Sequence, residues 1–373
     1  MNIQQSVMER YSGAAQTREA ALCCPSPNYD QQLLDLLPRE IIEKDYGCGD
    51  PSPYVRPGDV VLDLGSGGGK ICYMAAQLAG PQGQIIGVDM NDNMLALARK
   101  YQPEMAQKLD GDLVRFVKGM IQDLALDLSA MENYFAQHPL TDVEDYLRFQ
   151  DWLEQQRKEQ PLIPDASVDL VISNCVLNLV RDQDKRQMVR EIYRVLKPGG
   201  RIALSDIVSD ETVPPHLKAD PQLWSGCISG AFQEQEFLQT FVDSGFLAAS
   251  YQKWETPSWR IESGIEFRAV TLTAVKGESG PCLDIGQAVI YRGPFASVTD
   301  DEGHVFPRGE RMAVCERTFR LLTEGPYQND FIGITPAVSR TPVPWCAPPG
   351  TRRPASETKG ATHTAACGSS GCC

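Results

Sequence analysis

The stretch that most limits what this chain can fold into is Val60–Lys70, VVLDLGSGGGK. β-Branched and aliphatic residues run into an acid and then break into glycines. That is the pattern of a buried strand feeding a tight turn that opens a helix. Gly65, Gly67 and Gly69 accept backbone angles that other residues resist and let the chain approach a ligand closely. The helix begins near Lys70, so its free N–H groups and the positive end of its dipole face whatever sits on the turn.

The strand–helix rhythm continues. Gln84–Asp89 is a second short apolar strand ending in an acid, Leu113–Lys118 a third, Val168–Ser173 a fourth and Arg201–Ile207 a fifth. Helical spacing fills the gaps, with Ile71, Met74, Ala75 and Leu78 after the turn, then Met94–Tyr101, then Lys185–Leu196 closed by a Lys197–Gly200 turn. Such alternation over about 150 residues predicts a doubly wound α/β sheet, parallel and covered on both faces. Leu247–Trp254 and Phe267–Lys276 read as an antiparallel closing pair. Leu124–Gln160 reads as polar helices inserted before the fourth strand, a solvated cap. Ahead of the first strand, one helix is expected over Gln31–Lys44, followed by a turn-rich loop, Tyr46–Pro53. The domain reading is an N-terminal thiol-bearing cap (1–55), the sheet domain (56–276), a smaller α+β region (277–335) and a Cys-containing tail (336–373). The tail's Pro, Ser, Thr and Gly content predicts flexibility at least from Pro348.

The formal net charge is −14 with no dense Lys or Arg cluster, which argues against nucleic acid or an anionic membrane as partner. Met1–Gly13 has no basic region followed by an apolar core, and no apolar run reaches membrane-spanning length. A cytoplasmic, monomeric enzyme with a small-molecule substrate is expected. Histidines 138, 216, 304 and 363 show no metal-ligand spacing, so a Cys/His zinc site is not expected.

What the turn holds follows from its details. A dinucleotide fingerprint would place a glycine where Lys70 stands. Instead an acid, Asp63, precedes the first glycine by two residues, and Asp89 ends the next strand, placed to accept both ribose hydroxyls. D-x-G-x-G-x-G resembles the first motif of class I methyltransferases that use S-adenosylmethionine. That resemblance implies a Rossmann-like sheet with helical insertions, and cofactor contacts from Asp63, Gly65, Ser66, Gly67, Gly69, Asp89, Met90 and Asn174. It also implies an adenine flanked by Gly119–Asp123, Ile121 among them. NAD binding is the alternative on the turn alone.

Twelve cysteines are too many to be explained as small buried hydrophobes. Without a secretory signal they are expected mostly as thiols. Cys72, Cys282 and Cys315 read as structural, and a tail holding Cys346, Cys367, Cys372 and Cys373 reads as bare chain or as a thiol reservoir. Cys48 precedes the first strand, Cys175 directly follows the fourth, and Cys227 follows the fifth. Ligands of open α/β sheets bind at carboxyl ends of strands, and three thiols converging there suit a soft, thiophilic ion. The segments YGCGDPSPYVRPGDVVLDLGSGGGK, SNCVLNLV, and SDIVSDETVP through LWSGCISGA resemble arsenite methyltransferases, over roughly Arg10–Lys276. The resemblance implies trivalent arsenic held by Cys48, Cys175 and Cys227, methylated from S-adenosylmethionine as part of arsenic detoxification. It implies an N-terminal delivery or redox thiol at Cys23 or Cys24, and a reductant such as thioredoxin or glutathione. Two alternatives remain at this stage: methylation of another small molecule with structural cysteines, and a metalloid-binding protein without turnover.

Overall fold

The computed structural model describes residues 3–19, 22, 29–338, 340–345, 347–348 and 350–359. Cys23, Cys24, Cys346, Cys367, Cys372 and Cys373 lie outside them. The chain divides into two compact units at Gly277/Glu278.

The first unit begins with helices α1 (Ile3–Gln16), α2 (Gln31–Asp35) and α3 (Arg39–Glu43). The single helix expected over Gln31–Lys44 is two short ones because Pro38 cannot continue the first, and it stands as N-cap of the second. The winding then runs β1 (Val60–Leu64), α4 (Lys70–Ala79), β2 (Gln84–Asp89), α5 (Asp92–Lys100), α6 (Gln102–Lys108) and β3 (Val114–Lys118). Next come α7 (Leu128–Gln137), α8 (Val143–Glu159), β4 (Val168–Asn174), α9 (Asp182–Val195) and β5 (Leu196–Ser209). The unit closes with α10 (Pro215–Lys218), α11 (Pro221–Ser225), β6 (Phe232–Gln233), α12 (Glu234–Asp243), β7 (Phe246–Trp254), β8 (Arg260–Glu262) and β9 (Ile265–Lys276). Lys197–Gly200, expected as a turn, forms the start of β5, where the β4–β5 register shifts between Val168 and Leu170.

The strands order as β3-β2-β1-β4-β5-β9-β7, with β6 on the end of β5 and β8 on β9. β1 to β5 pair in parallel, and β9 enters antiparallel between β5 and β7. Chain order reverses at β1/β4, the switch point where an open α/β sheet leaves a crevice at the strands' carboxyl ends. Helices on both faces explain why Val61, Leu62 and Leu64 are all fully buried, where alternation would have left one face wet.

The insertion is more than a solvated cap. Leu126, Leu128, Phe149 and Leu153 form a buried cluster packed by Met90 and Met120, so α7 and α8 brace the segment beside β2 and β3. Asp127 and Asp142 cap the two helices by accepting from backbone N–H groups of their first turns.

The second unit holds β10 (Leu283–Asp284), β11 (Ala288–Tyr291), β12 (Ser297–Thr299), β13 (Val305–Pro307), β14 (Arg311–Ala313), α13 (Glu316–Thr323), β15 (Phe331–Ile334), β16 (Val343–Pro344) and α14 (Ala355–Thr358). The expectation of flexibility from Pro348 is corrected over the described residues to Lys359. Arg353 is buried between Asp284 (2.8 Å) and Glu357 (3.0 Å), Ala313 N–H donates to the Thr351 carbonyl, and β16 pairs with β10. Composition read the tail as loose because it does not reveal one buried arginine.

Candidate active site

The glycine turn forms one wall of a cavity at the switch point. Gly65, Ser66, Gly67 and Gly68 line it with Asp63, Asp89, Met90, Gly119, Ile121, Asn174 and Cys175. Gly65 and Gly67 have φ of +67° and +51°. A Cβ on Gly65 would stand 2.4 Å from Val176 Cγ1, so glycine is required by both strain and space. Gly69, expected on the cofactor, is not among the lining residues. Its φ of +87° and the 2.8 Å approach of Phe116 to a would-be Cβ give it a packing role at the α4 N-terminus.

Asp89 shapes the turn from across the cavity. Its Oδ2 accepts from Gly67 N–H (2.9 Å) and its Oδ1 from Asn91 N–H (2.8 Å), leaving further lone pairs for a ligand. Burial holds its carboxyl above the usual carboxylate range. Asp63 is deeper, and burial pushes its carboxyl up to about 7, opposed by the Cys72 thiol that donates to it at 3.2 Å. Cys72 therefore does more than fill core. Ser66 Oγ is buried, lines the cavity and has no hydrogen-bond partner among the described residues. An orphaned hydroxyl in a close-approach glycine turn is what a bound polar cofactor would satisfy.

Cys48, Cys175 and Cys227 come together in one buried apolar cluster with Ile207, Val213, Ile228 and Phe267. Cys48 and Cys175, 127 residues apart in sequence, are joined by a disulfide with a Cα–Cα distance of 5.7 Å. The expectation of thiols is corrected for this pair, because Asn174 presses the Cys48 loop against the end of β4. The Cys227 thiol donates to the Cys175 carbonyl at 3.3 Å. Cys175 and Cys227 both sit in the left-handed region, at φ +62° and +61°. Backbone strain at two non-glycine residues in contact marks a site that the surroundings hold against local preference.

The residues that build this cluster were not all legible in sequence. Asn174, expected on the cofactor, lines the cavity, but its amide is engaged by the Cys48 loop. Oδ1 accepts from Cys48 and Gly49 N–H (both 2.9 Å), and Nδ2 donates to the Gly49 carbonyl (2.8 Å) and the Tyr29 hydroxyl (3.2 Å). The Lys70–Asp45 ion pair ties the same loop to the first turn of α4. Asn178 Nδ2 donates to the carbonyls of Ile207 (2.7 Å) and Cys227 (3.4 Å), and buried Lys185 donates to the Gly230 carbonyl (2.7 Å). Asp206, wholly buried, accepts from Leu177 N–H (2.9 Å) and Ile207 N–H (2.8 Å) and lies within 4.8 Å of the Cys48 and Cys175 sulfurs. Burial pushes its carboxyl up to about 7. No signal in the local sequence marked Asp206, which stands inside β5 rather than at its end.

Comparison with known proteins adds three findings. A family model described as a methyltransferase domain matches residues 56–145 and 137–245, and one described as a domain of unknown function matches 278–363. The arsenite methyltransferase of Aquipseudomonas alcaligenes is 30% identical, covering 88% of this chain and 89% of that protein, and that of Mus musculus is 27% identical over 86% and 78%. The crystal structure of an arsenic(III) S-adenosylmethionine methyltransferase from Chlamydomonas reinhardtii superposes with TM-score 0.57 at 27% identity, over 86% of this chain and all of that one.

Proposed function

The chain belongs to the arsenite methyltransferase family, and we propose that Cys48, Cys175 and Cys227 carry the arsenic through its methylation as a tris-thiolate. It is an S-adenosylmethionine-dependent arsenite methyltransferase. When bound, S-adenosylmethionine supplies an electrophilic methyl group on a sulfonium. The residues that would hold it are the Gly65–Gly68 turn, Asp89 toward the ribose hydroxyls, and Met90 and Ile121 beside the adenine. The Ser66 hydroxyl, unpartnered among the described residues, and the positive φ of Gly65 and Gly67 fit that group.

Arsenous acid exchanges its three hydroxyls for three cysteine sulfurs, each As–OH and S–H pair leaving as water. Thiolates suit this soft centre. Trivalent arsenic on three sulfurs keeps a lone pair, so no side chain has to remove a proton from the nucleophile. What the chain must supply is position. One observation carries the reading: Cys175 lines the cofactor cavity and belongs to the buried cluster with Cys48 and Cys227. Arsenic held there borders the place where the methyl donor would bind.

Methylation takes arsenic from the trivalent to the pentavalent state. Two electrons return when two of the arsenic-bound sulfurs couple: both As–S bonds break, the S–S bond forms, water takes a vacated place on arsenic, and thioredoxin or glutathione then reopens the disulfide. The Cys48–Cys175 disulfide supports this, since it joins two of the three thiols invoked. Cys23 or Cys24 would deliver arsenite or relay the disulfide. In this reading the protein works as a cytoplasmic monomer in arsenic detoxification.

The test is to incubate reduced protein with arsenite, S-adenosylmethionine and a thiol reductant, and to separate the arsenic species by chromatography. Methylated arsenic is expected from the wild type, with Cys48→Ser, Cys175→Ser and Cys227→Ser each losing most of the activity. Undiminished methylation by any of the three variants overturns the tris-thiolate.

A further inference from the structure

Helix α1 touches both halves of the site. On one side, Asn91, two residues beyond Asp89, donates to the Met8 carbonyl (3.2 Å) and Ser12 Oγ (3.0 Å), and Gln4, Val7, Met8 and Tyr11 line the cofactor cavity. On the other side, Arg10 donates to the Gln222 carbonyl and Ser225 Oγ (both 3.0 Å), and Ser6 donates to the Pro221 carbonyl (3.3 Å). Those acceptors belong to α11, whose next turn presents Cys227. α1 is thus pinned at both ends of the reaction.

Tyr11 stands where the two sides meet. Its ring packs edge-on against Tyr46, with centroids 6.3 Å apart and planes at 83°, and its hydroxyl lies 3.9 Å from Cys227 Sγ. Tyr46 is itself fixed, donating to the Ala14 carbonyl (3.0 Å) and accepting from Glu19 N–H (3.1 Å). We propose that Tyr11 is a positioning residue for the reaction, its hydroxyl steering the Cys227 sulfur toward the cofactor cavity. This rests on the reading of Cys227 as an arsenic-carrying thiol.

The Cys227 S–H donates to the Cys175 carbonyl, and the Tyr11 hydroxyl can donate into a sulfur lone pair. When Cys227 displaces a hydroxyl from arsenic, an S–As bond forms, the As–O bond breaks, and the thiol proton leaves in the water released. The link to the Cys175 carbonyl is lost with that proton. The Tyr11 hydroxyl still has a sulfur lone pair to bond and keeps the sulfur aimed once arsenic is on it.

The test uses full-length reduced protein. Tyr11→Phe removes the hydroxyl and keeps the ring on Tyr46, and Tyr11→Ala removes both. Arsenite affinity is read from intrinsic tryptophan fluorescence with no methyl donor present, Trp224 lying three residues from Cys227. S-adenosylmethionine affinity is read separately by calorimetry. Tyr11→Phe is expected to weaken arsenite binding about fivefold, the loss of the hydrogen bond that still aims the sulfur once its proton has left, with cofactor affinity within about twofold of wild type. Arsenite affinity equal to wild type in Tyr11→Phe overturns the proposal, whatever Tyr11→Ala does. So does an equal loss of cofactor affinity, which would make Tyr11 a packing element of α1. If Cys227→Ser itself binds and methylates arsenite normally, it is the tris-thiolate reading that fails.

Discussion

Replacing Asn174 by alanine isolates the device that brings Cys48 to Cys175. The amide holds the Cys48 and Gly49 N–H groups at 2.9 Å each. The Gly49 carbonyl keeps a second donor, the Tyr29 hydroxyl at 2.8 Å, so the orphans left by Asn174→Ala are the two N–H groups. At about 1 kcal/mol each, unclamping the loop removes about 2 kcal/mol from its ordered arrangement. The two sulfurs would then meet about thirtyfold less often, so the disulfide becomes easier to reduce, with a potential higher by about 40 mV. The assay equilibrates wild type and variant in glutathione redox buffers, alkylates the free thiols and counts them by mass. Cofactor affinity is measured in parallel because Asn174 also lines the cavity. A potential within about 10 mV of wild type would refute the clamp.

Four other outcomes follow from the structure. Gly65→Ala, with φ +67° and a 2.4 Å clash on Val176, should lose at least about tenfold in S-adenosylmethionine affinity by calorimetry. Gly58→Ala, equally strained at φ +83° but with open space around it, should cost only about 1 kcal/mol of stability and leave that affinity alone. Asp63 and Asp206 are both pushed from 3.8 up to about 7 by burial, so the folded chain keeps protons that the unfolded chain has released. Urea unfolding should show stability falling from about pH 4 to pH 7 and levelling above, with a shallower fall in Asp63→Asn; a profile rising through that window contradicts this. Arg353→Ala strips the buried cation from Asp284 and Glu357 and should cost the C-terminal unit about 2 kcal/mol, read by hydrogen exchange over residues 278–359; unchanged protection there would refute the pairing's role.

The sequence revealed this site unevenly, for physical reasons. The glycine turn, Asp63 and Asp89 could be read because cofactor contact is written in backbone freedom and in acids at strand ends, which are local signals. The three cysteines were legible as a set through the family resemblance of the segments around them, since only Cys175 directly follows a strand. The supporting residues were not. Asn174 was named for the cofactor, but its hold on the Cys48 loop was not foreseen, and Asn178 and Asp206 likewise act on backbone groups far away in sequence, which local sequence does not announce. Tyr11 acts across 216 positions on Cys227, a contact that helical spacing in α1 does not announce. The redox state of Cys48 and Cys175 was out of reach too, since it depends on how closely Asn174 brings the loops together. The C-terminal unit failed in the opposite sense, its Pro- and Thr-rich composition hiding Arg353 and the pairing of β16 with β10.

The central claim is that three protein sulfurs hold one arsenic atom. X-ray absorption at the arsenic edge, on reduced protein carrying one equivalent of arsenite and no methyl donor, tests it most directly. The account predicts three As–S bonds and no As–O bond in the wild type, changing to two sulfurs and one oxygen in Cys48→Ser, Cys175→Ser and Cys227→Ser alike. An oxygen in the wild-type coordination shell, or a shell unchanged by any one of those substitutions, would contradict it.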